Sequence, residues 1–239
     1  MCWSEGASAA MFGVGAVATM VTWRRGDARA IPVTLAYFTL MEGLQVAGYQ
    51  VLDQCTLTAN KAITIASYLH IAFQPLIINA FGMAITGNVT ARTRRLVYLL
   101  AAIASAILLL RLLPFGWASP CVDGQVLCGP AWCTQSGNWH LGWAVPYYDI
   151  WSPILGPWLA AWVQFPAYLA AIFVIPLIYG AWRWALFHAV LGPALSILLT
   201  DDPNEMPAVW CLFSIGLVLV SLSPMLRRGL APAREPRAA

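Results

Sequence analysis

Four ionisable side chains stand inside otherwise apolar stretches of this 239-residue chain: Glu42, His70, Arg111 and His188. A charged group at the centre of a bilayer costs at least about 2.5–3.5 kcal/mol on insertion scales, so each of the four is a candidate for chemistry. Glu42 lies ten residues before Leu52, His70 nine after Lys61, and His188 twelve before Thr200. At the helical rise these spacings correspond to depths of about 14–18 Å below one common face. Arg111 is shallower, about one turn from Phe115, where its head can snorkel outward. A carboxylate and two imidazoles at one depth could orient a small ligand. They could also bind zinc, with Glu42, His70 and His188 as ligands and water in the open fourth position. A third option is a b-type haem with the two histidines as axial ligands.

Helix geometry adds polar company to these groups, because residues three and four apart share a face. Glu42, Gln45 and Tyr49 align on one stretch, and Ser67, His70 and Gln74 on the next, with Asn79 deeper. Gln164 and Ser196 belong to later stretches. Glu42, Gln45, His70, Gln74 and Gln164 are therefore the expected ligand-binding set. The competing reading makes such polar residues interhelical hydrogen-bond links, worth about 0.6 kcal/mol each. Pro75, Pro157, Pro166, Pro176 and Pro193 fall within the apolar stretches; each removes a backbone donor and favours a kink.

The elements that must carry these residues follow from composition. Of the chain, 60% is apolar and 10% charged, against about 45–50% and 25% in soluble domains. Mean hydropathy is +0.71. Crossing the hydrocarbon takes about 20 apolar residues, and seven runs approach that length: Ala7–Trp23, Ile31–Leu52, Ala62–Thr86, Leu96–Pro114, Pro157–Tyr179, Trp184–Leu199 and Pro207–Pro224. They are continuous rather than alternating, which excludes a barrel. The expectation is an all-α, polytopic seven-helix bundle over residues 1–226, followed by a basic cytoplasmic tail at 227–239. A cleaved signal peptide does not fit the first run, because Glu5 precedes it and Arg24-Arg25 follow it.

Charge sorts the connections. Arg24, Arg25, Arg29, Arg92, Arg94, Arg95, Arg183, Arg227, Arg228, Arg234 and Arg237 fall on one set of segments. Glu5, Asp53, Asp123, Asp149, Asp201, Asp202 and Glu205 fall on the alternate set. The positive-inside rule then predicts an outer N-terminus, a cytoplasmic C-terminus and a multi-pass protein of the inner (plasma) membrane. The one long connection, residues 115–156, is rich in Trp and Tyr, which favour the interface. It is expected to cap the outer mouth, with a short interfacial helix near His140–Asp149. Cys2, Cys55, Cys121, Cys128 and Cys133 share that oxidising side and are the disulfide candidates, with Cys2–Cys55 one pairing considered. Cys211 lies near the outer end of the last run.

Met1-Cys2-Trp3-Ser4, Glu42, Asn60 and Phe73-Gln74-Pro75-Leu76 resemble a family of uncharacterised seven-helix integral membrane proteins that open with Met-Cys-Trp. The resemblance covers about the first third of the chain and implies no catalytic residues. A second, more distant similarity is to alkaline ceramidase-like, zinc-dependent membrane hydrolases, through the topology, the Ser67…His70 pair and His188. That family's last helix carries two histidines four apart, whereas here Gly192 follows His188. Its acid on the third helix has no counterpart near His70, and a zinc ion would need Glu42 or His140 as third ligand.

The functional expectation is an outward-facing polar pocket lined by helices 2, 3 and 6 that binds a small molecule or lipid. The alternatives are a zinc-dependent lipid hydrolase, a b-type haem protein, and an accessory subunit of a membrane complex. The lipid bilayer is the expected environment. No basic cluster interleaved with aromatics suggests nucleic acid. No phosphate loop appears, and no lysine lies within an apolar run.

Overall fold

A computed structural model describes residues 3–230. Cys2 and the tail beyond Leu230, including Arg234 and Arg237, lie outside the described residues.

The chain is mostly helical. The first four runs form α1 (Glu5–Arg24), α2 (Ala30–Tyr49), α3 (Thr58–Thr86) and α4 (Ala91–Leu110). Ser4 opens α1 by accepting the Ala7 N–H at 3.3 Å, and Thr90 opens α4 by accepting the Thr93 N–H at 3.2 Å. Glu5 at the start of α1 and Arg24 at its end suit the helix dipole. Gly15 lets α1 and α2 close together, since a Cβ there would meet the Thr39 side chain.

Residues 115–156 form a cap of short strands: β1 (Ser119–Pro120), β2 (Cys133–Ser136), β3 (Leu141–Ala144) and β4 (Tyr148–Asp149). β2 pairs antiparallel with β3, and β1 with β4. The helix expected near His140–Asp149 is thus replaced by two strands. All four residues of β3 are buried, and Gly142 lies against the Asn204 backbone, where a side chain would press. Pro146 has no amide proton with which to continue a helix.

The cap is tied to the bundle through the turn between α2 and α3. The Asn60 amide donates to the carbonyls of Val51 and Thr134 at 2.7 and 2.8 Å and accepts the Thr134 N–H at 2.9 Å. Cys55 is bonded to Cys133, and Cys121 to Cys128. Cys55 therefore pairs with the cap rather than with Cys2.

After the cap come α5 (Ser152–Leu155), α6 (Pro157–Trp162), α7 (Pro166–Ile178), α8 (Trp182–Leu199), α9 (Met206–Leu222) and α10 (Pro224–Leu230). The fifth run is broken rather than continuous. Residues before proline are pushed out of the α region, and Phe165, preceding Pro166, has φ −128° and ψ 58°. α7 contains a π turn at Ala170–Val174, and α8 another at Val190–Ala194. Five helices (α1–α4 and α8) are long and apolar enough to cross a membrane. α9 and α10 make a sixth if counted together, although they bend by 106°.

The end opposite the cap gathers basic residues. Asp27 pairs with Arg25 at 2.5 Å and with Arg227 at 3.2 Å. Burial works against the Asp27 charge, but hydrogen bonds from Arg25 and Arg227 outweigh it and hold the carboxyl below its ordinary range. Arg183 donates to the Gly229 carbonyl at 3.2 Å.

Candidate functional site

A cavity of about 300 Å³ lies beneath the cap, between α3, the broken fifth run, α8 and α9. Ile71 and Gln74 of α3 face His188, Pro193 and Ser196 of α8, while Val126 and Leu127 of the cap lie above. Phe165 and Tyr168 close one side, and Trp210 and Cys211 of α9 another. Two lining residues, Trp162 and Ile197, are 76% and 66% exposed. The cavity therefore opens sideways, between the break in the fifth run and α8. Its walls are mainly apolar, with Gln74, Gln164, His188 and Ser196 as polar points.

His188 is packed among four aromatic side chains, Phe173, Trp184, Trp210 and Phe213. Its ring stacks on Phe213 with centroids 3.9 Å apart, and Phe173 lies at 5.5 Å. The Trp210 indole N–H donates to His188 Nε2 at 3.0 Å. That contact is made possible by Gly192, one turn further along α8, where a Cβ would collide with the indole. Indole nitrogen is a donor only, so Nε2 must be the unprotonated nitrogen and the neutral ring carries its proton on Nδ1. Nδ1 has no hydrogen-bond partner among the described residues.

His70 is satisfied at both nitrogens. Nε2 donates to the Tyr37 carbonyl at 2.8 Å, and Nδ1 faces the Gln74 amide at 3.4 Å. Tyr37 returns its hydroxyl to the His70 carbonyl at 2.5 Å and stacks on the ring at 3.8 Å. Gln74 in turn accepts the Tyr168 hydroxyl. Glu42 is 2% exposed. One of its oxygens accepts from Ser214 at 3.0 Å, while the other has no hydrogen bond among the described residues. Ser8 gives its hydroxyl to Gln45 at 3.3 Å.

The expected ligand set is thus divided. Gln74 and Gln164 line the cavity; Glu42, Gln45 and His70 do not. Gln164 also serves the cap, accepting the Val126 N–H at 2.5 Å. The structure does not bring the expected zinc set of His70, His188 and Glu42 together. Among the described residues no group of three or more His, Cys, Asp or Glu side chains is placed to hold a metal ion. The lone pair of His70 Nδ1 is turned to Gln74 and that of His188 Nε2 to Trp210. Paired haem ligation meets a further obstacle. The two imidazoles are linked through intervening phenyl rings, with His70 to Phe38 at 5.8 Å, Phe38 to Phe213 at 6.2 Å and Phe213 to His188 at 3.9 Å.

The chain's residues 6–231 match a family of unknown function, DUF5765. The chain belongs to that family. The expected likeness to an uncharacterised family holds at this level. No curated protein and no solved structure matches it.

Three structural posts were not legible as such. Glu205, fully buried, accepts the backbone N–H groups of Asn138 at 3.0 Å, Trp139 at 2.6 Å and His140, along with the Thr200 hydroxyl at 2.6 Å. Arg111 lies between the rings of Tyr147 and Phe165, at 4.0 and 4.1 Å, and donates to the Gln164 carbonyl freed by the helix break at 2.9 Å. Tyr49 and Gln45 grip the cap residue His140 at 2.6 and 3.1 Å. Trp210 was missed as well. The signal for it was Gly192 four residues after His188, since a glycine on the face of a buried histidine marks a bulky neighbour.

Proposed function

We propose that this is a multi-pass protein of the plasma membrane that binds a small, mainly apolar ligand in the cavity beneath its cap. Seven passes, with α6 and α7 together as the fifth, put the N-terminus and cap outside and the C-terminus in the cytoplasm. The meeting of Arg25, Asp27 and Arg227 at the end away from the cap supports this orientation, because positively charged segments are retained on the cytoplasmic side.

The observation that carries the ligand reading is the cavity itself, at about 300 Å³ and bearing polar side chains among apolar walls. Small-molecule sites begin at about that volume and have that composition. Its lateral opening suits a molecule dissolved in the membrane better than one arriving from water.

The test uses the small apolar fluorophore 1-aminoanthracene with the protein in lipid nanodiscs, against empty nanodiscs. Saturable binding at one site per chain is expected. Ser196→Trp, which fills the cavity, should abolish it. Equal, non-saturable partition into both samples and the variant would reject the cavity as a binding site.

A further inference from the structure

Away from the cavity, α1 and α2 leave an open groove of about 500 Å³ along the outside of the bundle. Phe12, Ala16 and Met20 of α1 form one wall and Ala36 and Leu40 of α2 the other, all of them exposed. Two hydroxyls line the same groove, but both are turned back on their own helices. Thr19 donates to the Gly15 carbonyl at 2.8 Å, and Thr39 to the Leu35 carbonyl at 2.7 Å. The walls therefore offer hydrocarbon. One end is closed by the Phe12 ring, which lies against Gly43 where a Cβ would meet it. The other end is charged. Arg24 lines it, is exposed, and makes no hydrogen bond or ion pair among the described residues. Asp27, the acid of the turn between α1 and α2, is committed to Arg25 and Arg227. Trp23 stands beside Arg24 and is 64% exposed; tryptophan favours the headgroup level of a bilayer. Arg24 and Phe12 are twelve residues apart, about 18 Å along the helix, and one leaflet's share of the hydrocarbon is about 15 Å.

We infer that this groove holds an acyl chain of an anionic phospholipid, drawn from the leaflet at the arginine-rich end, with the lipid's phosphate on Arg24. The inference rests on the chain lying in a bilayer and is independent of any ligand in the cavity. An apolar groove about one leaflet long, stopped by an aromatic ring at its deep end and carrying a guanidinium at its surface end, matches the two ends of such a lipid. The guanidinium fork suits phosphate oxygens, and the pairing is charge-assisted. Local charge selects the headgroup. Arg24, Arg25 and Arg29 stand against Asp27 alone in this turn, so the ammonium of phosphatidylcholine meets like charge, whereas the glycerol of phosphatidylglycerol does not. A second copy of the chain, inserted in the same direction, would bring its own Arg24 to the same level and set like charge against like.

Photolabelling of the full chain in dioleoylphosphatidylcholine nanodiscs tests this. The probes are trace phosphatidylglycerol or phosphatidylcholine with a diazirine in one acyl chain, read by peptide mass spectrometry. A basic side chain near the membrane surface is worth about 1 kcal/mol toward anionic lipid, or about fivefold. The phosphatidylglycerol probe should therefore label Met20 and Leu40 about fivefold more than the phosphatidylcholine probe. Arg24→Gln should bring the two probes level while the phosphatidylcholine signal persists, which shows that the variant folds. Ala36→Trp, which fills the groove, should remove the excess with Arg24 in place and leave the labelling of α4 unchanged. Arg92→Gln removes an exposed charge at the start of α4, outside the groove, and should leave the excess intact. Equal labelling by both probes, an excess that survives Arg24→Gln or Ala36→Trp, or one that Arg92→Gln removes as well would overturn the inference. So would absence of label from Met20 and Leu40 together with a dimeric mass by light scattering, which would give the groove to a second copy. No label anywhere on the chain would reject the membrane reading, and this site with it.

Discussion

At the scale of single residues, polar groups in an apolar setting are kept by their partners, and two of them make measurable predictions. Gly192 leaves room for Trp210, whose indole orients His188. Gly192→Ala should destabilise the protein by about 1–3 kcal/mol through overpacking. It should also shift the tryptophan emission as Trp210 leaves its site; an unchanged melt and spectrum would refute the packing argument. In the cap, burial pushes His140 down to about 3, against about 6.5 for a free histidine. The unfolded chain therefore binds this proton more readily than the folded one. Stability should fall as pH drops below about 6.5, by up to about 1.4 kcal/mol per unit, until about 3. Asp149 acts in the same direction but in a lower window. Burial opposes its charge, yet the Ser152 hydroxyl and the Ser152 and Trp151 amides outweigh this and hold it below its ordinary range. Thermal melts at pH 7, above the histidine window, and at pH 5, within it, should differ, and His140→Gln should reduce the difference.

At the scale of elements, the cap is what the helices alone would not produce. Its hairpin is held by Asn60 and Glu205 and by the Cys55–Cys133 bond, which spans 78 residues, whereas Cys121–Cys128 spans 7. In the loop-entropy model those spans correspond to about 4.5 and 2.4 kcal/mol. Replacing Cys55 and Cys133 together by alanine should therefore lower the melting temperature more than replacing Cys121 and Cys128. The same ordering should appear in amide exchange of β2 and β3. A larger effect from the short bridge would mean that local geometry, not chain closure, governs the cap. The broken fifth run is the other decisive element. Phe165–Pro166 ends the helix, the freed Gln164 carbonyl is taken by Arg111, and the resulting gap is the lateral mouth of the cavity.

At the scale of the whole molecule, the cap and the arginine-rich end lie at opposite ends of α1, which at 20 residues is about 30 Å long. Lys61 is the chain's single lysine and is exposed on the cap side, at the start of α3. The proposed orientation makes it reachable from outside. A membrane-impermeant amine reagent applied to intact cells should modify Lys61, as read by peptide mass spectrometry. Modification only after the membrane is opened would reverse the topology.

Apolar length and helical continuity are local properties, so α1–α4 and α8 were readable from the chain. So was the burial of Glu42, His70 and His188 inside helices, since few residue types raise the cost of an apolar run so sharply. The fifth run misled because summed hydropathy does not register what Pro166 does to the dihedral angles of Phe165. Equal depth also does not determine which way a side chain faces. Glu42 turned to Ser214 and His70 to Tyr37, while His188 alone of the three reached the cavity. What the sequence by itself determined was the solvent each segment requires, because transfer free energy adds up along a chain. What only the tertiary structure decided was who meets whom, because hydrogen bonds and ring stacking depend on helix rotation and on a cap whose partners lie far away in the chain.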